Sequence, residues 1–395
     1  MESFTLINKR LLPYCLTSLM AVFLSACSSG PQQRVKLPDL AYPAAPDQPR
    51  FYFEQSIRGS ADIVEASDDD KMMYFLTGIG KVSEGFGKPF DIATHQGRIF
   101  ITDTAKRDVL LIDKKMGLFY SVSNVSNIKM SKPMGVATDT AGTLYVLDHT
   151  LKSVFLFTRD GAHLDTINLD KHLERPTGIE VNPEGTLAFI VNTGGVSSTY
   201  HNIIVFDLAT QEIVRTIGTR GDGDGELNLP KDVSLGKDGL LYVVDSGNFR
   251  VSVVTQTGEQ VRSFGKIGTQ HGSFSRPKGI ATDADGNVYV VDAGFGNFQI
   301  FNPEGQLLMF VGTRSARGSR GEFMLPAGID VDEDGRVYMV DQYLRKIDVF
   351  RPAALAEGQG YFSRSEAAAT DPKPATSTPE PATSAPEAAA DYNAQ

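Results

Sequence analysis

From about residue 89 to residue 352 one rhythm of hydrophobic and polar positions recurs. A proline opens a short apolar run punctuated by small residues, a glycine turn follows, Asp-Gly or Glu-Gly in four of the six copies, and a second run, almost entirely apolar, closes on Asp or Asn. Residues 276–294, "RPKGIATDADGNVYVVDAG", state the phrase most fully. Its opening prolines are Pro89, Pro133, Pro176, Pro230, Pro277 and Pro326, spaced by 44, 43, 54, 47 and 49 residues. Each copy supplies four short strand signals parted by turns, as in "KGIATD", "NVYVVD", "FQIFN" and "LLMFVG". A period in the forties made only of strands and turns predicts an all-β, six-bladed β-propeller.

The second run of each copy has an aromatic three residues before its closing polar residue: Phe100, Tyr145, Phe189, Tyr242, Tyr289 and Tyr338. A propeller sheet is covered on both faces by its neighbours, so these rings are read as packing residues. The sixth copy ends at "KIDVFRP" with no fourth strand, while "RFYFEQSIRG" at 50–59 precedes the first copy unassigned. The N-terminal strand is therefore expected to complete the last blade, removing two open edges. Between that strand and Pro89, "DDDKMMYFLTGIG" reads as a short helix or capping loop.

The pattern Pro-x-Gly-Ile-Ala-x-Asp, then Asp-Gly, then Val-Tyr-Val-Val-Asp, then "GNFRVSVV" and a Phe-Gly end resembles the NHL-repeat family, most closely over 230–265 and 277–292. The resemblance spans about residues 50–352 and implies an NHL-like propeller, without implying one function.

The 395 residues, 41% of them hydrophobic, suffice for one large core. Residues 1–26 read as a secretory signal: Lys9 and Arg10, an apolar run from Leu11 to Leu24, then small residues. Leu24-Ser25-Ala26-Cys27 resembles a bacterial lipobox, which implies cleavage before Cys27 and its lipidation. Ser28 in the next position favours the outer membrane of a Gram-negative cell, the side left open. Residues 27–49 read as a Pro-rich extended linker and 353–395 as a disordered Ala/Pro/Thr/Ser/Glu tail. Cys15 falls within the signal, so no internal disulfide is expected, and no Cys-x-x-Cys-His motif occurs.

Strand alternation puts the loop before each inner strand and the loop between second and third strands on one face, here called upper. Lys88, Lys132, Arg175 and Arg276 precede their prolines and Lys231 and Lys278 follow theirs, a ring of cations in a chain of net charge −10. Two readings stand: recruitment of an anionic ligand or acidic partner, or pairing with the Asp residues that end the second strands. Inner-strand positions near the axis are small except Asp91, Asp232, Glu180 and Asp330, which form two opposed pairs and are candidate ligands for a channel Ca²⁺. Blade 3 carries a longer upper loop, 192–202, whose Tyr200 and His201 are candidates for selectivity. His149, His172, His201 and His271 sit at unlike positions, so no three-His metal site is assembled from the sequence. "GDGDGELNLP" at 221–230 is read as an inter-blade link.

No catalytic residue is assigned, since nucleophile elbow, zinc-protease, phosphate-loop and dinucleotide motifs are all missing. The expected function is a lipid-anchored envelope binding or scaffolding module with a protein partner. The alternatives are a metal-dependent lyase or lactone hydrolase at the channel mouth, and small-anion or glycan binding at the rim. Nucleic-acid binding is not expected of an exported chain whose basic face competes with so many acids.

Overall fold

The structure, a computed structural model, describes residues 39–80 and 82–363. The predicted signal segment, Cys27 and the tail beyond residue 363 lie outside the described residues.

Six antiparallel sheets form the blades, and every inner strand begins at one of the predicted prolines: Pro89–His95, Pro133–Thr138, Pro176–Val181, Pro230–Leu235, Pro277–Thr282 and Pro326–Val331. Proline suits this start because its missing N–H would otherwise seek a ladder partner. Each sheet then steps outward through a second, a third and an outer strand. Apolar cores fill the seams between adjacent blades, six among the described residues. The six second-strand aromatics are all buried in them, as expected. Where the aromatic is Tyr, its hydroxyl donates to an Asp of the preceding lower turn, at 2.7–3.0 Å: Tyr145 to Asp139, Tyr242 to Asp238, Tyr289 to Asp283 and Tyr338 to Asp332. Blades 1 and 3 have Phe there and no Asp in that turn, so the ring hydroxyl and the turn Asp vary together.

Blade 6 closes the ring. Strand β1 (Ala41–Tyr42) pairs with β2 (Phe51–Ile57), and β2 pairs with the blade's third strand Lys346–Pro352 from Phe51↔Pro352 to Ile57↔Ile347. The closing strand is where the sequence placed it, and β1 adds a further edge strand inside the stretch read as linker. Residues 353–363, assigned by composition to the tail, dock on the same blade. Phe362 is fully buried edge-on to Tyr338, and the buried Arg336 donates to Gln359 O and Ser363 Oγ.

Since β2 runs upward, residues 58–88 connect it to blade 1 across the upper face. They include helix α1, Asp68–Thr77, which starts on a capping box: Asp70 N–H donates to Ser67 Oγ, and Ser67 N–H to Asp70 Oδ2. Gly78 ends it with φ of 70°, a left-handed cap open to glycine. No residue of α1 is buried, and Met72, Met73, Tyr74, Phe75 and Leu76 are 55–83% exposed.

Candidate functional site

The upper mouth is shaped by a defect repeated in every blade. Directly after its proline each inner strand slips register against the second strand, between Pro89 and Ile92, Pro133 and Gly135, Pro176 and Gly178, Pro230 and Val233, Pro277 and Ile280, and Pro326 and Ile329. Such bulges re-aim side chains, and here the skipped residues turn to the axis. Among them Phe90, Asp91, Met134, Lys231, Asp232 and Lys278 line a funnel of about 270 Å³, with Arg276 at its lip. Below it the channel widens into a cavity of about 840 Å³ whose lower mouth carries Asp139, Glu184, Asp283, Asp332 and Glu333. One axial opening is therefore basic and the other acidic.

The six predicted rim cations surround the upper mouth, and the pairing expected of them does not form. Asp103 accepts from the backbone amides of Gly87 (2.6 Å) and Lys88 (2.8 Å), and Asp148 from those of Ser131 (2.6 Å) and Lys132 (2.8 Å). Asp292 holds the amides of Ser275 and Arg276 in the same way, and Asn192 those of Glu174 and Arg175. Asp103 also accepts from Ala105 and Lys106 of its own following turn, and where a second-strand Asp does meet a cation, Asp245 at 2.9 Å, the partner is Arg250 of the same blade and not a rim cation. The main chain of the rim is clamped while its charged ends stay unpaired: none of Lys88, Lys132, Arg175, Lys231, Arg276 and Lys278 makes an ion pair among the described residues. Lys278 shows the result. Burial, and then the charge of Arg276 with smaller pushes from Lys231 and Lys88, bring its amine down to about 8. Burial and Arg175 lower Lys231 as well.

Of the two blade 3 candidates, Tyr200 is half exposed, whereas His201 is fully buried. Leu229 N–H donates to its Nδ1 at 3.3 Å, so Nε2 carries the proton and donates to Gly195 O at 2.9 Å. His201 therefore ties the long loop to blade 4 and is removed from the ligand-binding set. Loop 221–230 is the link expected: Glu226 accepts from Gly223 N–H, and Arg250 donates to the carbonyls of Asp222, Gly223 and Glu226.

The four channel carboxylates, Asp91, Glu180, Asp232 and Asp330, all line the channel. Among the described residues no three His, Cys, Asp or Glu side chains gather closely enough to hold a metal. Their oxygens are spent on backbone amides, mostly of the next blade. Asp91 accepts from Val136 N–H (3.1 Å), Asp232 from Ile280 N–H (3.1 Å), and Asp330 from both N–H (2.6 Å) and Oγ1–H (2.7 Å) of Thr94. The neighbouring glycines permit this approach; a Cβ on Gly178 would lie 2.5 Å from Asp232 Oδ1. Loss of water, then the Asp232 charge, raises Asp91 well above the ordinary range. Burial raises Asp232 and Asp330 to about 7 each, and burial with the charges of Asp330 and Asp232 raises Glu180 far above its usual value.

Sequence reasoning found the charged residues and missed the bulges, which have no residue signature beyond the proline itself. It also missed the shared amide clamp, although an Asp or Asn at a fixed offset from each rim loop was its visible sign.

The NHL repeat model matches residues 227–254, in blade 4. No curated protein matches the chain. Among solved structures, a protein of unknown function from Bacteroides thetaiotaomicron is 17% identical with a TM-score of 0.55, covering 75% of this chain and 75% of its own. A gluconolactonase from Xanthomonas campestris is 14% identical with a TM-score of 0.52, covering 68% of this chain and 86% of its own. An auxiliary nutrient binding protein from Bacteroides thetaiotaomicron is 14% identical with a TM-score of 0.52, over 68% of this chain and 70% of its own. At such identities the likeness is one of fold. Blade count and ring closure make this chain a six-bladed β-propeller, and its fourth blade matches the NHL repeat.

Proposed function

We propose that this chain is a non-catalytic binding module, held to the outer membrane through Cys27, whose upper face docks a protein partner of the envelope. The observation that carries the reading is α1. Residues 72–76 are five consecutive apolar side chains, and at about 100° per residue they cover the whole helix circumference. A soluble surface seldom exposes such a cluster unless something covers it. A helix lying in a lipid surface needs a polar face. One whose second half is apolar all round, after a charged first turn, is suited to enclosure of that end in a partner's groove. The loop bearing α1 belongs to the same face as the unpaired cations, which supply steering and register toward an acidic rim on the partner. The metal-dependent lyase or hydrolase alternative requires a ligand set that the described residues do not bring together.

The test is crosslinking and affinity capture from membranes with the wild type, a Phe75→Asp/Leu76→Asp variant and a Lys88→Glu/Arg175→Glu variant, with metal analysis of each sample. The reading expects one stoichiometric partner that is lost from the first variant and weakened, with reduced salt sensitivity, in the second. A partner retained equally by all three, or stoichiometric metal with no partner, defeats it.

A further inference from the structure

The funnel at the centre of that face has chemistry of its own. Three of the six rim cations, Lys231, Arg276 and Lys278, line it, while Lys88, Lys132 and Arg175 do not. Its wall includes Phe90, Met134 and Pro277. Two acids, Asp91 and Asp232, form its floor, yet neither pairs with a lysine: each is held by the amide of a neighbouring blade, and both are raised toward the protonated state at neutral pH. The funnel thus combines cations lacking a counter-charge, carboxyl groups able to donate a hydrogen bond when protonated, and an apolar side.

We infer that the funnel is a receptor for a small organic carboxylate, its charge between Arg276, Lys231 and Lys278 and its carbon skeleton against Phe90 and Met134. Arg276 offers the planar fork that suits a carboxylate, and the two ammonium groups lose mutual repulsion when an anion arrives. At about 270 Å³ the space is just below the range of about 300–1,000 Å³ common for drug-sized ligands, which selects a small metabolite over an oligosaccharide. This deepens the binding-module reading and engages different residues from α1.

Binding also moves a proton. Lys278 faces Arg276, Lys231 and Lys88, which depress it, and Asp341, which opposes them; Asp91 and Asp232 lie beneath. An added carboxylate raises the amine again, so association near pH 8 takes up to about half a proton.

Titration calorimetry of the full chain at pH 8 with succinate, benzoate and inorganic phosphate, in two buffers of different ionisation enthalpy, tests this. Saturable binding of succinate or benzoate with proton uptake is expected. Lys278→Met and Arg276→Gln each weaken it by about tenfold or more, while Phe75→Asp leaves it unchanged. Thermal unfolding of each variant confirms the fold. The proposal is overturned if no organic anion binds, if phosphate binds as tightly as the carboxylates, or if Lys278→Met binds like wild type. Loss of partner docking in the α1 variant with anion binding intact, or the reverse, tells failure of one reading from failure of the other.

Discussion

Glu180 occupies an axial position where other blades carry Ala, Ser or Asp, and its carboxylate gains little in return: the amide of Val181 is its one favourable contact against burial and the charges of Asp330 and Asp232. Because its folded-state pKa lies above the unfolded value near 4.5, the folded protein binds the proton more tightly. Its contribution is favourable in acid and is given up as pH rises through the folded value. Glu180→Gln keeps the shape without the charge. Its melting temperature should exceed that of wild type at pH 8 and match it near pH 4, measured by calorimetry across pH. An equal offset at both pH values would mean that packing, not ionisation, sets the difference. That four carboxylates interrupt a ring of small residues was legible in the chain. Where their oxygens go was not, since a hydrogen bond to the next blade depends on an inter-blade offset that no period records. His201 fails for the same reason: its loop was identifiable, its burial against Leu229 was not.

The closing strand depends on a buried ion pair. Lys346 and Asp348, both fully buried on the third strand of blade 6, lie 2.6 Å apart. Asp348 also accepts from Ser56 Oγ on β2 (2.5 Å) and Gly321 N–H (3.1 Å), while Lys346 donates to Ser319 O (2.9 Å). The cluster joins β2, the blade and the loop entering it. Lys346→Met strands a carboxylate in the seam and should cost about 3–5 kcal/mol in denaturant unfolding; adding Asp348→Leu should recover part of that. A loss below about 1 kcal/mol in the single variant would mean that Asp348 escapes to solvent or takes up a proton. Strand assignments were readable here because "RFYFEQSIRG" lacked a partner and blade 6 lacked a strand. Residues 353–363 were not, since Phe362 and Ser363 are isolated anchors in a composition otherwise typical of unstructured chain. A short helix was one of two readings of the α1 segment, but its apolar run would ordinarily predict burial, and the fold leaves it uncovered.

At the scale of the whole molecule, the six-fold repeat made the ring legible, because the number of phrases equals the number of blades. The polarity of its axis was only half legible: the lysines and arginines could be placed on one face, but whether their charges were cancelled depended on side-chain geometry. Deleting residues 39–57 leaves Lys346–Pro352 as an open edge beside blade 1 and removes Phe51 and Ile57 from two of the seams. The shortened chain should lose cooperative unfolding and self-associate, seen by light scattering. A monomeric, cooperatively melting product would show that five complete blades and a partial one hold the ring unaided.

The pairing of β2 with Lys346–Pro352 also sets a clock. Ribosomes make about 5–20 residues per second, so this segment leaves the tunnel roughly 15–60 s before its mate exists. Blades 1 to 5 can each assemble as they emerge, whereas the final seam must wait for the end of synthesis. Any handling of the nascent polypeptide by transport or chaperone machinery therefore meets an unsealed circle with one waiting flap.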